Sequence, residues 1–161
     1  VVGIEYNTTI SDRRFKGIEK GSDSGYGFNI LNCKANEVQK FFYFESSIDL
    51  LSFKLMNKLP EKSIMISMTG LKECVIKNTL EKFGDNSDKK VFICVDNDLA
   101  GINFCNSLKG KYNNMKFIMP GTVKDWNEQL KKNSVKSKLR IIGLINPAVK
   151  NNKKLARQME R

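Results

Sequence analysis

The chain has 161 residues, of which 40% are apolar and 28% charged, enough for one domain with a buried core and too apolar for wholesale disorder. It carries a formal charge of +11 and contains no histidine, which excludes a histidine general base, Ser-His or Cys-His nucleophiles and His-rich zinc sites. No apolar run approaches the ~20 residues of a membrane-spanning helix.

The predicted elements begin with short strands at Val1–Tyr6, Phe15–Ile18 and Tyr26–Leu31, separated by Gly21, Ser22, Asp23 and Gly25. Residues 1–36 therefore read as a small antiparallel β appendage, the end of a preceding domain. The Val-Val-Gly start, without an initiator Met or signal features, reads as a cut-out fragment. From Val38 onward short apolar runs alternate with amphipathic stretches. Phe41–Phe44 is wholly aromatic, as expected of a strand covered on both faces. Ser47–Leu59 places Ile48, Leu51, Leu55 and Leu59 at helical spacing. Ser63–Met68 is a second strand, and Glu73–Phe83 a helix stopped by Gly84. Val91–Val95 is a third strand, followed by a helix over Ala100–Tyr112 with Ile102, Cys105 and Leu108 facing inward. Lys116–Met119 is a fourth strand, and Lys124–Lys131 a short helix in which Trp126 reads as core rather than as a base-stacking ring. Leu139–Ile145 is a candidate last strand, and Pro147 onward a basic helix or frayed end. This alternation predicts an α/β fold: a mainly parallel central sheet with helices on both faces, plus the N-terminal β appendage.

Acidic residues fall at the strand ends. Glu45 follows the first apolar run, Asp96 and Asp98 follow the third, and Asp125 lies just past the fourth, while Asp49 is one helical turn from Glu45. Ligands of parallel sheets bind at the carboxyl ends of strands. Clustered carboxylates repel one another unless a cation neutralises them, and a shell of oxygens alone suits Mg²⁺ or Mn²⁺. Each acid taken singly also fits a helix cap. Charge is uneven as well: from Lys131 to Arg161 there are ten Lys or Arg against Glu160 alone, which points to a polyanionic partner, nucleic acid first. Arg13, Arg14, Lys16 and Lys20 make a second basic group, and Lys72, Lys124, Lys150, Lys153, Lys154 and Arg157 are further candidates for phosphate contact. The four cysteines, Cys33, Cys74, Cys94 and Cys105, form no CxxC pair and read as free buried thiols of a reducing, cytoplasmic compartment.

FFYFESSIDLLSF (Phe41–Phe53), MISMTG (Met65–Gly70) and VFICVDNDLAG (Val91–Gly101) resemble the conserved blocks of Toprim domains. PGTVKDWNEQL (Pro120–Leu130) looks like the Lys-Asp-Trp-Asn block of the primase-like branch found on plasmids, phages and conjugative elements, and KGSDSGYGF (Lys20–Phe28) is similar to the small domain that precedes it. The resemblance implies a Toprim domain over residues 37–133 with a basic segment at 134–161, in a bacterial mobile-element protein. It further implies Glu45 as general acid/base and metal-assisting residue, Asp96 and Asp98 as Mg²⁺-binding aspartates, Asp49 and Asp125 as auxiliary acids, and Gly70 as the glycine ending the second strand. Lys124, beside Asp125, is a candidate catalytic phosphate contact. The implied activity is primase-like nucleotidyl transfer on DNA, with a partner that is single-stranded DNA, nucleotides and further domains of a parent protein. A nuclease using the same acids and a non-catalytic DNA-binding module stay open. A receiver-like phosphoacceptor domain explains neither Glu45 nor the DxDxAG run. The sequence departs from the family at Ser46, where glycine is usual after the glutamate, and that bears on catalysis more than on metal binding.

Overall fold

Four consecutive aromatic residues, Phe41–Phe44, are all 5% exposed or less, so the strand they form is covered on both sides. In the computed structural model, which describes residues 2–8, 15–84, 88–112 and 114–134, this strand is the centre of the sheet. In chain order the elements are β1 (Glu5–Asn7), β2 (Lys16–Ile18), β3 (Asn29–Leu31), β4 (Lys40–Phe44), α1 (Ser47–Met56), β5 (Ser63–Ser67), α2 (Glu73–Lys82), β6 (Lys90–Cys94), α3 (Leu99–Leu108), β7 (Met115–Phe117) and α4 (126–134).

The main sheet has the order β3-β5-β4-β6-β7, with β4 parallel to β5 and β6, β7 parallel to β6, and β3 antiparallel at the edge beside β5. Alternation along β4 splits the core in two. Phe41 and Tyr43 join Ile64, Ile66, Val91 and Ile93 under α2 and α3, which contribute Val75, Ile76, Leu80, Cys105 and Leu108. Phe42 and Phe44 join Met65 and Cys94 on the opposite face, under Leu50 of α1 and Trp126 of α4. The expected α/β sheet with helices on both faces is thus what the chain forms. The expected antiparallel appendage is present as the β1–β2 pair. Asn29–Leu31, expected to belong to that appendage, instead pairs with β5 in the main sheet.

Several local expectations need correction. Helix α1 stops at Met56 rather than Leu59, and its buried face is Asp49, Leu50 and Ser52, backed by Phe53 and Met56. Of the expected apolar spacing, Leu51 (43% exposed) and Leu55 (76%) lie on the outer side, Ile48 is half-buried, and Leu59, beyond the helix end, packs against the core. Ile102, expected inward, is 42% exposed, and α3 ends at Leu108 rather than Tyr112. Of the thiols, all free, Cys94 and Cys105 are buried, but Cys33 is only half-buried and Cys74 is exposed. The segments at Leu139–Ile145 and beyond Pro147, with Arg13, Arg14, Lys150, Lys153 and Lys154, lie outside the described residues.

The two faces of α1 give a direct check. Leu50→Ala is expected to cost about 3 kcal/mol by opening a cavity under β4, whereas Leu55→Ala should stay within about 0.5 kcal/mol. Urea unfolding of the two variants measures both; equal losses would restore the Ile48–Leu51–Leu55 face as the buried one.

Candidate metal and nucleotide site

Strand register brings the acids together. Phe44 of β4 lies opposite both Ser67 of β5 and Cys94 of β6, so the next residues, Glu45 and Val95-Asp96, leave the sheet side by side at its carboxyl edge. The Met68 and Gly70 N–H groups donate to Phe44 O (2.7 Å) and Glu45 O (2.8 Å), fixing the glutamate backbone against the end of β5. That turn needs two left-handed residues, Thr69 (φ 53°) and Gly70 (φ 111°). A β-branched residue in this region is strained. Thr69 is held there by its own hydroxyl, which donates to Met68 O (2.7 Å) and accepts from Lys72 Nζ (3.0 Å).

The acids divide by the work each already does. Asp98 caps α3, accepting from the Gly101 N–H at 3.0 Å, and its other oxygen faces Lys124 Nζ at 3.5 Å. These donors hold its carboxyl below the usual range, the Gly101 N–H foremost. Asp125 caps α4 through the Glu128 N–H (2.7 Å), while Glu128 reaches back to the Lys124 N–H (3.2 Å). Asp49 is 5% exposed and takes a hydrogen bond from the Ser46 hydroxyl; burial raises its pKa, with Asp125 adding to the rise and the Ser46 bond opposing it.

Glu45 and Asp96 differ. Each has one buried oxygen with no hydrogen-bond partner, Glu45 Oε2 and Asp96 Oδ1. Burial, then the charges of Asp98 and Asp49, pushes Glu45 up. Burial followed by Asp49, Glu45, Asp125 and Asp98 pushes Asp96 up to about 7. The five acids expected as ligands are therefore gathered within one electrostatic neighbourhood. Among the described residues, however, no three of them close into a coordination shell. Two open, buried oxygens on adjacent strand ends, in an all-oxygen donor set, suit a hard divalent cation.

Around this edge lies a cavity of about 400 Å³ lined by Glu45, Ser46, Thr69, Gly70, Lys16 and Glu5. Lys16 thus arrives from the N-terminal hairpin, and its charge opposes the raised pKa of Glu45 and Asp49. Lys72 stands one turn away on Thr69, and Lys124 on Asp98. Trp126 is core: it is 6% exposed, donates Nε1–H to Cys94 O at 3.1 Å and meets Phe53 edge-on.

Ser46, which stands where the family usually has glycine, has φ −135°, an extended conformation open to any residue. It N-caps α1, accepting from the Asp49 N–H at 3.2 Å. Ser46→Ala is expected to lower stability by about 1 kcal/mol and to free Asp49. Chemical denaturation checks the cap; an unchanged midpoint would show that the hydroxyl does not hold the helix.

Sequence reasoning missed Glu5, which enters the cavity from a strand far away in sequence, and Gly101, whose position three after Asp98 was the available signal. With this geometry in hand, the comparison with known families is decisive: residues 42–130 match the Toprim-like family, more than half of the chain.

The chain belongs to the Toprim-like family.

Two relatives share this region. The chain is 40% identical over 115 residues to the uncharacterized protein pXO2-78 of Bacillus anthracis, covering 66% of this chain and 32% of that protein. It is 30% identical over 115 residues to the uncharacterized protein MG010 of Mycoplasma genitalium, covering 66% and 47%. The chain therefore spans less than half the length of the two relatives, 32% and 47%. The primase fragment of the bacteriophage T7 primase-helicase protein overlaps 65% of this chain and 44% of its own length at 18% identity, with a TM-score of 0.45, too loose to bear on function. No helix among the described residues is long and apolar enough to cross a membrane.

Proposed function

We propose that this Toprim-like chain is a nucleic-acid-processing module that performs primase-like nucleotidyl transfer on single-stranded DNA with Mg²⁺ (or Mn²⁺), as part of a larger bacterial, cytoplasmic protein. The observation that carries the reading is the pair of unpartnered buried oxygens, Glu45 Oε2 and Asp96 Oδ1, on neighbouring strand ends, with Glu45 itself lining the cavity. Glu45 and Asp96 would hold the ion, with Asp98 beside them and Asp49 and Asp125 as outer acids. When bound, the ion supplies positive charge that aligns a triphosphate and offsets charge building at the phosphorus.

The chain's own groups carry the remaining steps. Lys16 and Lys124 grip phosphate oxygens; Lys124, which sits 3.5 Å from Asp98 in the free protein, neutralises that acid until a substrate arrives. Glu45, with its pKa raised by burial, accepts the proton of the attacking 3′-hydroxyl through the carboxylate oxygen that does not hold the ion, as the new O–P bond forms at the α-phosphorus and pyrophosphate leaves. Lys72, and Arg13, Arg14, Lys150, Lys153 and Lys154 outside the described residues, extend the contact to the DNA backbone and make it salt-sensitive.

The test is primer synthesis on single-stranded DNA with Mg²⁺ or Mn²⁺. Glu45→Gln is expected to lower the rate roughly 10²–10⁴-fold through loss of the proton acceptor. Synthesis at the wild-type rate in that variant would overturn the assignment, and DNA cleavage without synthesis would move the same acids to a nuclease.

A further inference from the structure

The N-terminal hairpin leaves a second, larger cavity of about 560 Å³ against the body, within the ~300–1,000 Å³ range of ligand pockets. It shares Glu5, Ile18 and Thr69 with the cavity at Glu45, so the two adjoin. Their chemistry differs. The smaller carries Lys16 and Glu45. The larger is walled by Val2, Ile4, Ile18, Phe28 and Leu51, and its charged lining residues are Glu5 and Asp23, both acids. Phosphate is disfavoured there, and a flat apolar group is favoured.

The polar atoms of that wall are specified further. Glu5 Oε1 accepts from the Asn7 amide and from the Ser47 hydroxyl, both at 3.2 Å, and the Asn7 amide also donates to Ser47 Oγ at 3.2 Å. This triangle fixes the Asn7 amide with its nitrogen inward. Two acceptors are then left buried without a donor, Glu5 Oε2 and Asn7 Oδ1. Of the two, Glu5 lines both cavities, so a ligand there meets a carboxylate acceptor that asks for an N–H donor and offers none.

We propose that the larger cavity is a nucleobase subsite. It takes the base of a nucleotide whose phosphates lie in the smaller cavity at Lys16, and the open Glu5 oxygen selects bases bearing an exocyclic amino group. The inference rests on the nucleotidyl-transfer reading and adds base recognition to it. Leu51 and Ile18 sandwich the ring, which explains why they stay 43% and 42% exposed in the free chain.

Methyl NMR of the whole chain, titrated with adenosine, cytidine or uridine without metal, tests the subsite separately from catalysis. Adenosine and cytidine are expected to shift the Ile4, Ile18 and Leu51 methyls, with uridine roughly fivefold weaker for want of one hydrogen bond. Glu5→Gln should narrow that gap, and Leu51→Trp, which fills the cavity from an exposed position, should abolish the shifts at Ile4 and Ile18. No shift at millimolar adenosine, equal binding of uridine, or shifts that survive Leu51→Trp would overturn the proposal. Nucleosides carry no phosphate, so the outcomes separate: shifts without primer synthesis leave the subsite and remove the transfer reading, while synthesis without shifts removes the subsite alone.

Discussion

Asp96→Asn is expected to make the metal-free protein more stable and the Mg²⁺-supplemented protein inactive. The Asp96 carboxyl is pushed up to about 7 from an ordinary value of 3.8, by burial first and by four neighbouring acids after it. Between those two values the unfolded chain has lost the proton while the folded chain keeps it. Stability contributed at this site therefore falls as pH rises from about 4 to about 7, and the full destabilisation is present above 7. A tenfold change in proton affinity corresponds to about 1.4 kcal/mol, and because the acids share their protons the gain for Asp96→Asn at pH 8 should be nearer 2 kcal/mol than the full sum. Thermal unfolding across this pH range checks the sign: the wild-type curve should slope downward and the variant's should flatten. Mg²⁺ should restore the wild type at pH 8 and leave the variant unmoved, since a ligand stabilises only the state that binds it. A variant less stable than wild type at pH 8 would mean that Asp96 is not strained by its neighbours. On the proposed function, the same substitution should cost roughly 10³-fold in primer synthesis through loss of a carboxylate that would hold the ion. A stability gain accompanied by lost activity is the expected signature of a functional acid cluster.

Much of this site was legible because parallel strands end where ligands bind. Glu45, Asp96 and Asp98 each follow an apolar run, and register alone then brings them to one edge. The Toprim-like membership implied by the same blocks is what the family match gives. Helix α1 misled for a related reason. Its inner face carries Asp49 and Ser52 beside Leu50, so two residues of the apolar spacing visible in the sequence, Leu51 and Leu55, lie on the outer side. Polar residues occupy part of the buried side, and periodicity reads only hydrophobicity. What each acid does was also hidden. Asp98, Asp125 and Asp49 look alike in sequence, yet the first two cap helices and the third is bonded to Ser46, and only the fold distinguishes them from Glu45 and Asp96. Glu5 was invisible because nothing local couples β1 to Ser47; that contact exists only once the hairpin has folded back.

Gly101→Ala is expected to unfold part of the population and to weaken Mg²⁺ binding, the opposite of what helix propensity alone would give. Gly101 sits in the first turn of α3, where alanine should add about 1 kcal/mol of helix stability relative to glycine. But a Cβ built there would fall 2.2 Å from the Asp96 carbonyl oxygen and 3.1 Å from Val95 Cγ2. The first contact is with backbone, which no rotamer change relieves. The β6–α3 connection would have to move, and overpacking of this kind costs about 1–3 kcal/mol or more, so steric cost wins over propensity. The connection that must move is the one bearing Asp96, and the Gly101 N–H is itself the donor that holds Asp98 at 3.0 Å. One methyl group is thus expected to disturb both aspartates while touching neither side chain. Urea unfolding should show a loss of about 2 kcal/mol net, and Mg²⁺ titration followed by tryptophan emission at Trp126, whose indole is bonded to Cys94 O just ahead of Asp96, should show weakened binding in the fraction that stays folded. A stabilised Gly101→Ala with unchanged Mg²⁺ affinity would mean that the glycine is there for nothing the site requires, and that the close packing of α3 on Asp96 is not what positions the carboxylates.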